Sequence, residues 1–323
     1  MFLAMNSGEA IIERVTAKHG RAALTAALEL VLRGLPDEVR RPFAAGLITA
    51  AEVDDDILAE LWRCLDPRDG TTCGAVWAQI RPGGAAVVWP PQWTKLLPPG
   101  TTDPLLRAVL RSLTDRGATL AQSLLVDRHV PEATTLAGCG FTHAADLQYL
   151  SAEVTASDAR LASVDTAFSF EPIRAGDDSR LAAIVEETYV GTRDCPALDG
   201  MRSAQEVLDE YRTIGAGRDA LWRIVKREGR NVGCLLLADH PSQSQVELVY
   251  MGVVPTARGG GGGAAMVREA LRIAATLQRA RVVLAVDAAN DPAVAIYQRC
   301  GFTTIETRTV MICRLKSPRG DDR

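Results

Sequence analysis

A chain of 323 residues has room for two domains of ordinary size, each with its own hydrophobic core. Hydrophobic residues make up 47% and charged residues 24%, the balance of a soluble globular protein, and a formal net charge of −4 leaves no basic footprint for nucleic acid. No apolar run is long enough to cross a bilayer, and Met1–Met5 is too short and lacks the basic flank of a signal peptide, so the expectation is a cytoplasmic protein without membrane or nucleic-acid partners.

In chain order, Ala10–Thr16 reads as a strand, Arg21–Arg33 as a helix ending at Gly34, and Asp37–Leu47 as a second helix after Pro36. Strands follow at Ile57–Cys64, Cys73–Ile80 and Ala85–Trp89, divided by turns at Asp69-Gly70 and Pro82-Gly83-Gly84. Thr102–Arg116 is expected to be a helix capped by Asp103 with Pro104 in its first turn. A strand at Ala118–Asp127, a short helix after Pro131 and a strand from Phe141 close the first half.

The second half opens with a strand at Phe168–Ile173 and a helix at Asp177–Tyr189. A loop over Val190–Met201 then leads to a helix near Ala204–Ile214. Next come a strand (Val246–Val254), a turn (Pro255–Arg258), five glycines (Gly259–Gly263), an amphipathic helix (Ala264–Ala280), a strand (Arg281–Val286) and a short helix (Pro292–Cys300). A flexible linker is one reading of the glycines, but Val267, Ala270, Leu271, Ala274 and Leu277 fall at helical spacing directly behind them. Glycines opening a helix instead describe an anion cradle, where unpaired N–H groups and the helix dipole meet an unobstructed backbone.

Two phosphate-binding patterns fit poorly. No Lys-Ser/Thr follows the glycines, so a triphosphate loop would lack its cation and metal ligand. Gly259-x-Gly261-x-x-Ala264 with Asp287 loosely matches a dinucleotide fingerprint, yet only one further strand follows Asp287, too few for a doubly wound sheet.

Arg258-x-x-Gly261-x-Gly263-Ala264 behind a β-strand resembles the acetyl-CoA motif of the GCN5-related N-acetyltransferase (GNAT) superfamily. Asn290-x-x-Ala293-x-x-x-Tyr297-x-x-x-Gly301-Phe302 is similar to that family's second signature. The resemblance covers Phe168 to Leu315. It implies an α/β fold with a mixed, mostly antiparallel central sheet flanked by helices, and acetyl-CoA as cosubstrate.

The element order also repeats. Leu61-Trp62-Arg63 recurs as Leu221-Trp222-Arg223, Gly74 as Gly233, Asp127 as Asp287 and Cys139-Gly140-Phe141 as Cys300-Gly301-Phe302, all at an offset of about 160 residues. Two tandem copies are expected, over residues 1–155 and 167–316, joined near Glu153–Thr166 and followed by a polar tail at 317–323. The resembling family has tandem members, mycothiol synthase among them. The copies differ in chemistry: where the second has Arg258 and the glycines, the first has Pro90-Pro91-Gln92-Trp93 through Pro98-Pro99-Gly100, and prolines supply no N–H donors. Leu136 also stands near the place of Tyr297. The first copy therefore reads as degenerate.

Period-two alternation along the strand puts Glu247 on one face with Val249, Met251 and Val253. By itself Glu247 is an acid at a strand end, Tyr297 a core tyrosine beside Ala293, Ile296 and Cys300, and Asn290 a cap for the following helix. The resemblance implies more. Glu247 matches a general base and Tyr297 an acid for the departing thiolate. Met251, Val253, Val254, Arg258, Gly259, Gly260, Gly261, Gly262, Gly263, Ala264 and Asn290 match cofactor-binding positions. Asp194, in the loop bordering the acceptor side, is either an attractor for an amine or a solvated loop acid. The seven cysteines include no Cys-x-x-Cys and no histidine pairing, so no metal is expected, and Cys195 has no histidine near it in sequence to make it a nucleophile.

The sequence thus points to acetyl-CoA-dependent N-acetylation of a primary amine on a small molecule or peptide by direct attack. Two alternatives stay open: a mycothiol-synthase-like activity on a cysteinyl amine, and a catalytically silent acyl-CoA-binding module. Acceptor and oligomeric state are not readable.

Overall fold

The computed structural model describes residues 11–95, 103–158 and 167–315, apart from 175, 199 and 218. The chain divides into two compact units, Met1–His143 with Val310–Arg323, and Ala144–Thr309. The stretch Pro98-Pro99-Gly100, most of the junction expected near Glu153–Thr166, and the tail at 317–323 lie outside the described residues.

In the first unit, β1 (Ile11–Arg14), β2 (Glu60–Leu65), β3 (Thr72–Ile80) and β4 (Ala85–Trp93) pair antiparallel in turn, and β5 (Leu120–Leu125) joins β4 in parallel. Ala75 and Trp77 of β3 face α1 (Gly20–Val31) and α2 (Asp37–Ala51), where the Trp77 and Trp89 rings stack at 3.9 Å. The alternate residues Val76 and Ala78 face the opposite core, built on α3 (Pro104–Asp115) and α4 (Pro131–Ala137). Asp103 caps α3 as expected: its Oδ1 accepts from the Leu106 N–H at 3.0 Å, and its other oxygen accepts from Trp93 Nε1 at 2.7 Å. Among the boundaries that differ from the sequence reading, two have a local cause. Ile57 and Leu58 belong to a 3₁₀ turn that Asp54 caps through the Asp56 N–H, so the strand begins only at Glu60. β4 continues through Pro90-Pro91, with an irregularity in its pairing to β3 at that point.

The second unit holds β6, β11, β10, β9, β8 and β7 in that spatial order. These are β6 (Thr142–Glu153, in this unit from Ala144), β7 (Phe168–Pro172), β8 (Arg223–Arg227), β9 (Arg230–His240), β10 (Gln245–Val253) and β11 (Arg281–Asp287). The β10–β11 pair is parallel, and the remaining pairs are antiparallel. On one face α5 (Asp178–Tyr189) and α6 (Ala204–Tyr211) cover Trp222, Ile224, Cys234 and Leu236. On the other, α7 (Gly262–Thr276) and α8 (Asp291–Arg299) cover Leu235, Leu237, Val246 and Leu248. Leu181, Leu208 and Trp222 are fully enclosed, and burying a side chain of this size stabilises the fold by roughly 1.5–3 kcal/mol. The last strand, β12 (Thr303–Arg314), begins in this unit; its Val310–Arg314 portion belongs to the first unit, where Met311 joins the core.

Both halves read β-α-α-β-β-β-α-β-α-β, and the repeated residues fall in or next to equivalent elements. The repeated glycine has a packing reason in each copy. A Cβ on Gly74 would lie 2.5 Å from Cε3 of Trp93, and one on Gly233 only 2.1 Å from the carbonyl oxygen of Gly252. The fold is a mixed α/β arrangement with helices on the sheet faces, as the resemblance implies. Among the described residues, no helix is long and apolar enough to cross a membrane.

Candidate active site

The site follows from how β10 and β11 part. They pair from Gln245↔Arg281 to Leu248↔Leu284 and no further, although β10 runs on to Val253 and β11 to Asp287. A register shift between Leu248 and Tyr250, in the pairing with β9, marks a bulge at Val249. Beyond it the edge of β10 that faced β11 is unpaired by that strand, and a cleft of about 490 Å³ opens there. Met251, Val253, Ala285 and Val286 line it along the strands, and Tyr297 and Asn290 from α8 and its cap.

The bulge overturns one expectation. It inverts the alternation along β10, so Glu247 does not share a face with Met251 and Val253. Before the bulge Val246 and Leu248 face α7, while after it Met251 and Val253 do, and Tyr250 joins the α5/α6 side. Glu247 lies on the α5/α6 side with His240, whose Nε2 is 2.9 Å from Glu247 Oε2. The two are diagonal neighbours across the β9–β10 ladder. Glu247 is half-buried and is not among the residues lining the cleft.

At the cleft's end, α7 begins with Gly261 as N-cap at φ +86°, a left-handed backbone that only glycine adopts freely, and no side chain caps the helix. Its first-turn N–H groups are therefore left for an external partner. Cβ atoms on Gly259 or Gly261 would meet nothing within 4 Å, so the loop is open at those two positions. The helix starts at Gly262, two residues before the expected Ala264, and its first turn leaves little room for a side chain: a Cβ on Gly263 would sit 2.9 Å from Ile296 Cδ1. The loop fits an anionic group held by backbone donors. Val254 is buried behind it.

Arg258 lines the cleft, but its guanidinium bonds to protein. Nε donates to the Val253 carbonyl at 3.1 Å, Nη1 to Gly191 at 3.2 Å and Nη2 to Thr188 at 2.9 Å. The wall it reaches, residues 188–194, carries Asp194. Asp194 is not simply a solvated loop acid: its Oδ1 accepts from the backbone N–H of Asp287 at 3.0 Å. The residue is exposed through the open cleft, yet its carboxyl is surrounded by protein on most sides, and burial raises its pKa. The Asp287 charge adds to that rise, while the Asp287 N–H and the Asn290 side chain oppose it. Cys195, also enclosed, has its thiol pushed up to about 12, which leaves no reactive thiolate.

Tyr297 is 5% exposed, and its hydroxyl has no hydrogen-bond partner among the described residues although the residue lines the cleft. Burial, and secondarily the Asp194 charge, raise its pKa well above the tyrosine range. Asn290 is the N-cap residue of α8 without capping through its side chain. Among the described residues no cluster of three or more His, Cys, Asp or Glu is arranged to hold a metal. Sequence reasoning missed His240, Asp287 as an anchor, and Tyr250, whose hydroxyl lies 2.7 Å from Thr188 Oγ1. The Asp287 and Tyr250 contacts join residues far apart in sequence, and the His240–Glu247 contact depends on the β9–β10 register, so no local pattern announces them.

Residues 185–302 match the family described as Acetyltransferase (GNAT) family, so the second half of the chain carries a GNAT acetyltransferase domain. Mycothiol acetyltransferase of Streptomyces bingchenggensis is 40% identical over 84 residues, 26% of this chain and 27% of that protein. Mycothiol acetyltransferase of Saccharomonospora viridis is 34% identical over 96 residues, 28% and 31% of the two chains. The chain spans only about a quarter to a third of the length of the curated relatives it matches. Among solved structures, a GCN5-related N-acetyltransferase from Sphaerobacter thermophilus aligns over 95% of this chain and 96% of its own at 17% identity and a TM-score of 0.61. A tandem GNAT protein from the clavulanic acid biosynthesis pathway aligns over 95% and 99% at 14% identity and a TM-score of 0.50. At these identities the likeness is one of fold, and the second of these structures fits a tandem arrangement.

Proposed function

We propose that the protein transfers an acetyl group from acetyl-CoA to a primary amine by direct attack. The observation that supports this reading is the parting of β10 and β11, which opens a cleft lined by Tyr297, Met251 and Val253, with the uncapped start of α7 packed beside the last two. The backbone of Arg258 and of Gly259–Ala264 would hold the cofactor's diphosphate, and the unpaired edge of β10 at Met251, Val253 and Val254 its pantetheine arm, with Asn290 beside it. Acetyl-CoA supplies an activated acyl group on a thiol leaving group.

The chain's own residues account for the protons. An alkyl ammonium holds its proton to a pKa of about 10.4, so the attacking nitrogen must be deprotonated at neutral pH. Glu247 accepts that proton, directly or through a water, and His240 keeps the carboxylate oriented. As the C–N bond forms and the C–S bond breaks, backbone N–H at Met251 stabilises the oxyanion and Tyr297 gives its proton to the departing sulfur. Burial keeps that hydroxyl protonated at neutral pH, so a proton is present to give. Asp194, exposed at the cleft wall, would attract the cationic amine.

The relatives named above are called mycothiol acetyltransferases, which supports a mycothiol-synthase-like acetylation of a cysteinyl amine as the acceptor reading to test first. The competing reading is a silent acyl-CoA-binding module. Release of free CoA thiol from acetyl-CoA, measured against panels of cysteinyl amines, simple amines, aminoglycosides, polyamines and peptides, separates the three. Turnover with any amine supports the enzyme, whereas tight acetyl-CoA binding without turnover across all panels supports the module.

A further inference from the structure

Two arginines approach the glycine loop, and they are engaged very differently. Arg258 has three donors spent on backbone carbonyls, and Thr188, one of those partners, lies in the last turn of α5, where helix carbonyls lack intrahelical partners and a cation is favourable. Gly191, the second partner, holds a left-handed φ of +64°, and a Cβ there would come within 3.5 Å of Nη1. So the guanidinium ties three separate segments: the end of β10, the end of α5 and the loop beyond it.

Arg227, the last residue of β8, has no ion pair or hydrogen bond from its side chain among the described residues. Its guanidinium lies over the Phe168 ring at 5.6 Å, a contact that orients the group without neutralising it. It also lies directly against the cradle, since a Cβ on Gly260 would sit 2.6 Å from Arg227 Nη1. A planar fork with unspent donors beside an uncapped helix N-terminus is suited to a phosphate oxygen.

We infer a division of labour: Arg227 supplies the charge that binds a cofactor phosphate, and the Arg258 side chain is a positioning residue that holds the 188–194 wall. The first part rests on the reading of residues 258–264 as the acetyl-CoA cradle. The second rests on contacts in the protein itself. Together they tie the wall bearing Asp194 to the loop that receives the cofactor.

Calorimetry with acetyl-CoA on the full chain, alongside hydrogen exchange of the peptide covering 188–194, tests both parts. Arg227→Gln is expected to weaken acetyl-CoA about tenfold or more, as loss of a bond to a charged group does, with a weaker salt dependence than wild type and partial recovery in Arg227→Lys. Arg258→Gln is expected to speed exchange in 188–194 and to weaken acetyl-CoA less than Arg227→Gln. Circular dichroism establishes that each variant folds, and the lysine variant separates lost charge from lost packing on Phe168. If wild type binds but Arg227→Gln binds equally well, or if Arg258→Gln weakens binding tenfold with unchanged loop exchange, the division is wrong while the cradle stands. No binding by wild type overturns the cradle reading and the Arg227 assignment together, and the exchange result still decides Arg258.

Discussion

Asp194 and Asp287 hold each other's stretches of chain. The Asp287 N–H donates to Asp194 Oδ1 at 3.0 Å, and the Cys195 N–H donates to Asp287 Oδ2 at 3.1 Å. Cys195 takes a positive φ of 45° in making this exchange, a conformation uncommon outside glycine. One wall of the cleft is thereby pinned to the end of β11, at the cost of bringing two acids together.

That cost gives a signed prediction. The Asp194 pKa is raised, chiefly by burial. A carboxyl with a folded-state pKa above its unfolded value favours folding below the unfolded value and loses that contribution as pH rises through the folded one. Asp194→Asn keeps an oxygen to accept the Asp287 N–H and removes the charge. Its Tm is expected to exceed that of wild type at pH 7, with the difference closing as pH falls and Asp194 protonates. Asp194→Ala loses the hydrogen bond and is expected to cost about 1 kcal/mol relative to the asparagine variant. A lower Tm for Asp194→Asn at pH 7 would show that the ionised carboxylate stabilises the fold through some other contact.

The glycine loop predicts selective loss of ligand. Gly261→Val places a β-branched residue at φ +86°, which costs roughly 1–2 kcal/mol, and Gly263→Val presses on Ile296. The double variant is expected to keep its circular dichroism spectrum and lose acetyl-CoA binding in calorimetry. Unchanged affinity in the folded variant would move the cofactor elsewhere.

How far the sequence reached can be judged from particular residues. The glycine turn that opens α7 and the short helix within Asn290–Phe302 were legible as structure because each is a local pattern of neighbours in sequence. The Asp103 cap was legible for the same reason. The bulge at Val249 was not, since inserting one residue in a ladder leaves no trace in alternating apolar residues, and it inverted the face assigned to Met251 and Val253. Arg258 shows the limit most clearly: its place in a motif suggests a ligand contact, while its side chain bonds to carbonyls 67 and 70 residues away. Likewise, β8 and β9 announced themselves only through the repeated Trp222 and Gly233.

The unequal copies predict stoichiometry. In the first unit the strand equivalent to β10 runs into Pro90-Pro91, whose nitrogens cannot donate. Titration of the full chain is expected to give one acetyl-CoA per chain. A value of two would assign the first unit a cofactor site built from other contacts.

The roles proposed for Glu247 and Tyr297 can be told apart by pH. Glu247→Gln preserves shape and hydrogen-bonding reach toward His240 but cannot accept a proton. Loss of a general base typically lowers the rate ~10²–10⁴-fold. Because the interaction matters as the proton leaves, the loss should fall on turnover and leave acetyl-CoA affinity near wild type. Activity should recover partly at high pH, where the free amine is already populated. Tyr297→Phe removes a donor to the leaving sulfur, so it should slow turnover without that alkaline recovery, and its buried ring position should keep the contact with Phe302. Both profiles must be measured with an acceptor for which chemistry limits the rate. Full activity of Glu247→Gln at neutral pH would leave the His240–Glu247 contact as a tie between strands and pass the base to another group, with Asp194 at the cleft wall the next to substitute.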